Sequence, residues 1–442
     1  MIKDIKKLFE VLNPLERMGN TEGMKQSFQI LKEKYPELII HKFNSNFKAG
    51  DWTVPKRWKL KYSFLKMGKK IIASSKISPL FVSPNSIPVD KILNGEEIKK
   101  RTISSKDFPN DYLLNHKHTY NYKLRHKDWG LSLPFKLFKK IKNNNKYHVS
   151  INANLTNEPM QVGELFIKGK VDKIISISAH IDELCNDNLS GSIAALKLYE
   201  KIKKKNNYFS YQIILFPELY GPIFFFKKFP KKTKKIIFTL NLETVGAGKE
   251  WCLKKAQKSN TFLEKCLIES FKKNKTKFKE IDFFQGFIND EKFYAWPNIS
   301  IPGVAIQRYP YKYYHTSADT IDKINFKFIL KSISIAYDML NIFEKNFGII
   351  KKNYIPKIIS AHPPWLTKKN LYIAGNNSLF PFDEGNNLYN EKLLYSIDGY
   401  KTLFSICDSL NIEFYKAYNY IEKFVKKKII FKKKINIKEK LY

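Results

Sequence analysis

The feature that most constrains the fold is a regular alternation of short apolar runs and helical segments from residue 171 onward. The apolar runs have the length of buried strands, and the segments between them carry apolar residues at helical spacing. Such alternation is typical of βαβ units, so we predict an α/β fold with a mainly parallel sheet flanked by helices. Ligands of such sheets bind beyond the carboxyl ends of the strands. Strands are predicted at 172–179, 211–216, 236–242 and 303–307, and helices at 191–205, 261–273 and 326–347.

Two other parts of the chain depart from this alternation. From 51 to 169, short β-type runs lie between many prolines and turn residues, which predicts a β-rich region. Residues 380–436 have the outline of three helices followed by a lysine-flanked β-hairpin at 426–434, which predicts a winged-helix module. A chain of 442 residues is long enough for about two or three domains with their own cores.

Side chains that can bind metal or transfer protons follow each of the predicted strands. The first strand is followed by HxD and then by NDNxSG, the second by Glu-x-x-Gly, the third by Asn-x-Glu-x-x-Gly and the fourth by YHTSxDT. Because the carboxyl ends of parallel strands meet at one edge of a sheet, we expect these side chains to lie close together. They are His180, Asp182, Asp187, Glu218, Glu243 and His315.

This order of motifs resembles the zinc aminopeptidase superfamily, which also contains glutaminyl cyclases and glutamate carboxypeptidases. The strongest matches are NDNLSG (186–191) and YHTSADT (314–320). More closely, the chain is similar to bacterial aminopeptidase-like proteins that are often encoded among polysaccharide-biosynthesis genes. The resemblance implies three domains. These are a zinc hydrolase domain formed by 1–50 and 160–350, an inserted β-rich domain at 51–159, and a winged-helix domain at 380–436.

The resemblance also implies a role for each of these side chains. It assigns Glu218 as the general base that takes a proton from the attacking water. Asp182 would be the carboxylate that orients His180, as zinc-binding histidines usually require. Neutral imidazoles and carboxylates are the ligands that zinc takes in open, catalytic sites. The implied zinc ligands are His180 and Glu243 at a first site, His315 at a second site, and Asp187 shared by both.

One residue departs from the pattern of the di-zinc members, in which the base Glu is followed immediately by a second Glu that binds the second zinc. Here the next residue is Leu219, which cannot be a ligand. Either one zinc is held by some of the four implied ligands, which we favour, or another group substitutes and two ions bind. Asp290 or Glu291 could supply that group, although the resemblance makes their segment a substrate-pocket loop.

Three residues are candidates for binding substrate. Asp290 is one of them, because the resemblance places it in a substrate-pocket loop. Arg308 carries forked donors suited to a carboxylate or a phosphate, and the alternative is a structural ion pair. Tyr313 belongs to an aromatic run that leads to His315. This run could line a substrate cleft, or it could pack in the core and at the rim.

The charge of the chain bears on its partners. Its formal net charge is +38, from 79 Lys and Arg against 41 Asp and Glu, which points towards a polyanion. Only five of these cations are Arg, although base reading favours Arg. The chain is also rich in residues with A/T-rich codons, a bias that would cover any surface with Lys. Nucleic acid therefore stays an alternative through the predicted winged helix, which could instead contact protein or form a homo-oligomer.

The location of the chain follows from what its sequence lacks. It has no apolar run of about 18 residues and no signal-peptide core, so we expect no membrane partner. Its four Cys form no CxxC pair and no disulfide framework, which is typical of a cytoplasmic protein.

Together these patterns favour a zinc-dependent, aminopeptidase-like hydrolase. Its substrate would be a small peptide or an amide-bearing small molecule, cleaved at the amide by activated water. One alternative is a non-hydrolytic or cyclase-type relative. The other is a DNA-binding regulator that uses the peptidase fold as a ligand sensor.

Overall fold

The computed structural model describes residues 1–116, 128–258, 261–351 and 389–433. Within these ranges no helix is both long enough and apolar enough to cross a bilayer. The α-helices are α1 (Ile2–Leu12), α2 (Glu22–Lys34), α3 (Gly95–Lys100), α4 (Phe135–Phe138), α5 (Leu189–Ile202), α6 (Tyr220–Lys228), α7 (Pro230–Thr233), α8 (Phe262–Lys273), α9 (Glu291–Tyr294), α10 (Phe326–Lys345), α11 (Tyr389–Tyr395), α12 (Leu403–Leu410) and α13 (Phe414–Lys426). The strands are β1 (Ile39–Phe43), β2 (Lys48–Ala49), β3 (Trp52–Thr53), β4 (Arg57–Met67), β5 (Lys70–Ser74), β6 (Val89–Asn94), β7 (Thr102–Ile103), β8 (Leu131–Ser132), β9 (Lys146–Thr156), β10 (Met160–Ile167), β11 (Ile174–His180), β12 (Ser210–Phe216), β13 (Ile236–Glu243), β14 (Glu250–Lys254), β15 (Lys279–Ile281), β16 (Gly303–Tyr309), β17 (Gly348–Lys351) and β18 (Ile430–Lys433).

The predicted strand–helix alternation is confirmed, because β11, α5, β12, β13, α8, β16 and α10 coincide with the predicted segments to within a few residues. Eight strands form one sheet in the order β1-β10-β12-β11-β13-β16-β14-β15. Its central neighbours β12, β11, β13 and β16 are parallel. The pairs β1–β10, β10–β12 and β14–β16 are antiparallel.

The edge pair β14–β15 is parallel as well. The sheet is therefore mixed: the prediction of a mainly parallel sheet holds for its centre and for this edge pair, but not for the other three pairings. The chain passes from β13 to β14 through residues 244–249 alone. A parallel return needs a crossover connection of about a dozen residues or more, so β14 runs in the opposite direction. Apolar periodicity does not report this difference, since it shows that a strand is buried but not which way it runs.

The central strands position the candidate site. Every residue of β11, β12 and β13 is buried, as expected for parallel strands covered on both faces. α5 packs against all three of them. The strands are parallel, so their carboxyl ends reach the same edge of the sheet. His180 ends β11, Glu243 ends β13, and Glu218 follows β12 after one intervening proline.

Residues 51–159, which we call the β-rich segment, contain a separate four-stranded sheet. Its order is β5-β4-β9-β6, and all of its pairings are antiparallel. The described part of the segment contributes most of one apolar core, which includes Trp58, Leu65, Phe81, Tyr147 and Val149. The sequence prediction of a β-rich region is thus confirmed, whereas its status as an inserted domain with boundaries at 51 and 159 stays a prediction.

The described chain divides into two compact units. The first comprises the described residues within 1–259 and 277–334, and the second comprises those within 260–276 and 335–442. The second unit contains α8, the end of α10, α11, α12 and α13, and a two-stranded antiparallel sheet of β17 and β18. In α13, Phe414, Ala417, Ile421 and Phe424 are buried at helical spacing.

The predicted β-hairpin at 426–434 is wrong. α13 continues to Lys426, and the following strand β18 pairs with β17 at 348–351. Of the apolar residues at 429–431, Ile430 and Phe431 lie in a strand, but its partner lies about 80 residues earlier in the chain. Residues 434–442 lie outside the described part. The three predicted helices are present, and the assignment of a winged-helix domain at 380–436 stays a prediction.

Candidate metal centre

The first cluster of metal-binding side chains lies at the ends of β11 and β13. His180 Nε2 is 3.3 Å from Glu243 Oε2 and 3.6 Å from Asp187 Oδ1. All three side chains are buried. Each offers one ligand atom, and these atoms lie within 4.8 Å of one another. We call these residues the first ligand group.

Asp182 orients His180 and also holds the neighbouring strand end. Its Oδ1 lies 3.0 Å from His180 Nδ1 and accepts a hydrogen bond of 2.9 Å from the backbone N–H of Glu218. The other imidazole nitrogen, Nε2, therefore faces Asp187 and Glu243. Burial alone would lower the pKa of His180, but Glu243 and Asp182 raise it well above its ordinary value.

The two most specific sequence motifs contact each other at Asp187. The carboxylate of Asp319, from YHTSADT, accepts hydrogen bonds from the backbone N–H groups of Asn186 (2.9 Å) and Asp187 (3.2 Å). Tyr311 donates its hydroxyl to the same carboxylate at 2.8 Å. Asp319 thus fixes the backbone from which the Asp187 carboxylate projects.

Asn188 connects the NDNLSG motif to Glu243. Its side-chain amide donates to Glu243 Oε2 at 3.0 Å and to the carbonyl of Leu242 at 2.8 Å. Its Oδ1 accepts from the N–H of Gly191 and so begins α5. A Cβ at Gly191 would lie 2.1 Å from the Leu242 carbonyl oxygen, so only glycine permits this approach of α5 to β13.

Glu218 lies in a tight turn after β12. Leu219, the next residue, has φ of 64°, and its N–H donates to Asp290 Oδ1 at 2.7 Å. A Cβ at Gly221 would lie 2.1 Å from Phe216 Cβ, which explains the Glu-x-x-Gly spacing. Burial raises the pKa of Glu218 to about 7, while its charge interacts with those of His180 and Asp187. A carboxyl with such a pKa is suited to proton transfer near neutral pH.

A second cluster forms around His315. Its Nε2 lies 3.0 Å from Glu183 Oε2 and 3.0 Å from Asp187 Oδ2. His116 Nε2 lies 3.5 Å from Glu183 Oε1, and its ring is 5.1 Å from that of His315. Burial alone would lower the pKa of His315, but Glu183 and Asp187 raise it well above its ordinary value. We call His116, Glu183 and His315 the second ligand group, since their ligand atoms also lie within 4.8 Å of one another.

The sequence patterns did not indicate His116 or Glu183. Glu183 directly follows the HxD motif, so its place after a predicted strand was the one signal that could have singled it out. His116 lies in the β-rich segment, about 200 residues before His315 in the chain. Only tertiary contacts bring it to this edge of the sheet.

Asp290 and Glu291 lie elsewhere in the site. Asp290 is buried with one oxygen bound to the Leu219 N–H, and burial raises its pKa well above the ordinary value. Glu291 forms a buried ion pair with Lys254 and accepts from the Asn241 side chain at 3.2 Å. Neither belongs to a cluster of metal-binding side chains among the described residues.

Arg308 lies under aromatic rings. Its guanidinium donates to the carbonyls of Gly248 (2.7 Å) and Lys249 (3.2 Å). The guanidinium carbon lies 3.7 Å from the ring centre of Phe328 and 4.8 Å from that of Trp251. Within the described ranges no carboxylate forms a salt bridge with it, so the alternative of a structural ion pair finds no support there. The assignment of Arg308 to substrate binding stays a prediction.

Tyr313 belongs to an aromatic cluster behind His315. Its ring packs against that of Tyr311, with 5.9 Å between the ring centres. Tyr314 stacks on the His315 ring at 3.8 Å and contacts Phe287 at 4.5 Å. The cluster supports the imidazole from one side, and the assignment of Tyr313 to substrate binding stays a prediction.

Comparison with known proteins places the chain in a family. Residues 6–346 match the family described as a domain of unknown function, DUF4910. The chain belongs to this family. A relative from Clostridium acetobutylicum is 28% identical over 420 residues, which cover 93% of this chain and 92% of the relative. It is named as a polysaccharide biosynthesis protein with an aminopeptidase-like domain.

Solved structures share the fold of this DUF4910 chain. A crystal structure of a protein named as a peptidase from C. acetobutylicum has a TM-score of 0.82 at 22% identity, covering 98% of this chain and 96% of that one. A zinc aminopeptidase from Bacillus subtilis has a TM-score of 0.57 at 15% identity, covering 76% and 94%. The chain therefore has a peptidase-like fold that zinc aminopeptidases also adopt.

The first ligand group of this DUF4910 chain fits zinc. Zinc bonds to imidazole and carboxylate of about 2.0–2.2 Å separate tetrahedral ligand atoms by about 3.3 Å. The distances of 3.3 and 3.6 Å around His180 Nε2 match that spacing. Both carboxylate oxygens of Asp187 are buried, yet neither meets hydrogen-bond geometry with a described donor. Buried acceptors require a partner, and a cation would provide one.

Proposed function

We propose that the chain is a zinc-dependent, aminopeptidase-like hydrolase that cleaves an amide bond in a peptide or an amide-bearing small molecule. The observation that carries this proposal is the convergence beside Glu218 of three buried side chains, His180 and Glu243 at the ends of parallel strands and Asp187 in the turn that follows the first of them. The peptidase-like fold and the relative's aminopeptidase-like domain support it. Zinc, when bound, would polarise the scissile carbonyl and acidify a water.

The residues of the chain would position the reactants and move the proton. Asp182 holds His180 by Nδ1 and Glu218 by its backbone N–H, so it fixes the ligand and the base together. The Glu218 carboxylate would take the proton of the attacking water and then donate it to the departing amine. Burial raises the pKa of Glu218, which favours both accepting and returning a proton near neutral pH.

The test replaces the base and leaves the ligands in place. We expect Glu218→Gln to retain zinc and to lose hydrolysis of aminoacyl amides and dipeptides. Glu164→Gln is the matched control, since Glu164 is an equally buried carboxylate in the same sheet whose partners are His41, Gln212 and Lys232. Full activity in Glu218→Gln, or purified protein without any divalent metal, would contradict the proposal.

Product analysis separates hydrolysis from the cyclase alternative. Hydrolysis adds water across the amide and yields two products. Cyclisation of an N-terminal glutamine releases ammonia and lowers the mass of the peptide by that of one ammonia molecule. Mass spectrometry after incubation with glutamine-initiated peptides distinguishes the two products. Pyroglutamyl product without cleaved amide would replace the hydrolase assignment with the cyclase assignment.

A further inference from the structure

The second ligand group has the distances expected of a metal site. His315 Nε2 lies 3.0 Å from one oxygen each of Glu183 and Asp187, and His116 Nε2 lies 3.5 Å from Glu183 Oε1. These values bracket the spacing of about 3.3 Å between ligand atoms of a tetrahedral zinc ion. Together with Asp187, the group offers two imidazoles and two carboxylates, a donor set that suits zinc.

A second observation is the state of the buried carboxylate oxygens. Glu183 Oε1 and both oxygens of Asp187 are buried and meet hydrogen-bond geometry with no described donor. The side chains of Glu183 and Asp187 are 1% and 0% exposed. Buried acceptors normally have a partner, and a bound cation would satisfy these oxygens. Asp187 turns one oxygen towards His180 and the other towards His315, so it lies between the two groups.

The backbone directs Glu183 and His315 into this cluster. Both have positive φ, 69° and 56°, which is rare for residues with a side chain. Arg17, fully buried, donates to the carbonyls of Ile181 (3.0 Å) and Leu184 (2.9 Å) and thereby holds the turn that carries Glu183. Such conformations are maintained where the surrounding contacts compensate for the strain.

His116 is brought to the cluster by the β-rich segment. The Leu114 N–H donates to the His315 carbonyl at 2.9 Å, and Leu113 forms an isolated β-bridge with Thr316. The Tyr112 N–H donates to Ser317 Oγ at 3.1 Å. The segment therefore runs alongside YHTSADT in the residues just before His116.

We propose that His116, Glu183 and His315 bind a second zinc ion, with Asp187 shared between it and the ion of the first ligand group. This inference rests on the proposed zinc-dependent function. Leu219 cannot be a ligand, and Asp290 and Glu291 are held by Leu219 and Lys254. The second site would instead be completed by the turn after β11 and by the β-rich segment, which would make that segment part of the metal centre.

Metal counting on the full chain tests the proposal. Purified protein is loaded with zinc and freed of excess zinc by gel filtration. The bound zinc is then measured by inductively coupled plasma mass spectrometry. We expect two ions per chain in the wild type and one in His116→Ala and in Glu183→Gln. His148→Ala is the matched control, because His148 also lies in the β-rich segment but faces Asp90 on its surface, and it should retain two ions.

Cobalt substitution gives a second readout that does not depend on activity. The visible absorption of Co²⁺ should lose about half of its intensity in His116→Gln, a variant that keeps a polar side chain in case the alanine variant folds poorly. Two ions in both His116 variants would overturn the inference. One ion in the wild type, lost in Glu243→Gln but not in His116→Gln, would overturn it while leaving the proposed hydrolase function intact. Protein without any bound ion would contradict both the second site and the proposed zinc-dependent function.

Discussion

The two ligand groups meet at Asp187, which contacts both His180 and His315, but they are built in different ways. The first consists of His180 and Glu243 at the ends of strands, and its side chains are 0–1% exposed. The second takes its side chains from turns and from the β-rich segment, and His116 and His315 are 14% and 29% exposed. The first group takes two of its three side chains from strand ends, and Asp319 fixes the third, Asp187. The second group depends mainly on contacts between distant parts of the chain.

The largest effect is expected where the two groups meet. Asp187→Ala removes the carboxylate that both groups share, so zinc content should fall from two ions to none and hydrolysis should fall to background. Metal analysis and an amide-cleavage assay measure this. Asp172→Asn, which changes a carboxylate that pairs with Lys235 outside the site, is the control and should change neither value. An Asp187→Ala protein with one tightly bound ion would show that the groups do not depend on a shared ligand.

Removing metal should separate the groups by their exposure. A chelator titration should release the ion of the second group first, since two of its side chains contact solvent, and the ion of the first group later. We expect affinities that differ by about tenfold or more, which corresponds to about 1.4 kcal/mol. Zinc release followed with a fluorescent indicator measures the two steps, and the melting temperature should fall in parallel. Release of both ions in one step would contradict the distinction.

Arg17 tests how far the turn after β11 supports the second group. Arg17→Lys cannot reproduce the set of buried donations to the carbonyls of Ile181 and Leu184, and we expect a loss of about 2–3 kcal/mol in the free energy of unfolding. The variant should bind the second ion more weakly while it keeps the first. Arg57→Lys, another buried arginine that pairs with Glu158, should lose similar stability without a change in zinc content. Equal weakening of both ions in Arg17→Lys would show that the turn supports the whole centre.

The smallest effects are expected from two serine hydroxyls, one beside each group. Ser317→Ala removes the acceptor of the Tyr112 N–H, and Ser192→Ala removes a donor to the His180 carbonyl. One neutral hydrogen bond contributes about 1 kcal/mol, so each change should weaken its own ion by at most about fivefold. Zinc affinities from competition titrations measure this, with each variant serving as control for the other. Identical effects of both variants on both ions would remove the distinction between the groups.

Much of the fold and of the first ligand group could be predicted from the sequence. Helical and strand periodicity located the strands and helices of the central sheet, because burial in regular structure imposes a spacing on apolar residues. The direction of β14 and the partner of β18 could not be predicted, since strand pairing depends on connections and distant partners that periodicity does not encode.

The same division applies to the site and to what the sequence by itself determined. His180 and Glu243 follow from the sequence because parallel strands end at a common edge of the sheet, and Asp187 lies in the motif that closely follows the first of these strands. The approach of His116 and Glu183 to His315 was decided only by the tertiary structure. It depends on a positive backbone φ at Glu183 and on hydrogen bonds that connect the β-rich segment to YHTSADT across about 200 residues of chain. Neither follows from a local pattern, because each results from packing between segments that are far apart in the sequence.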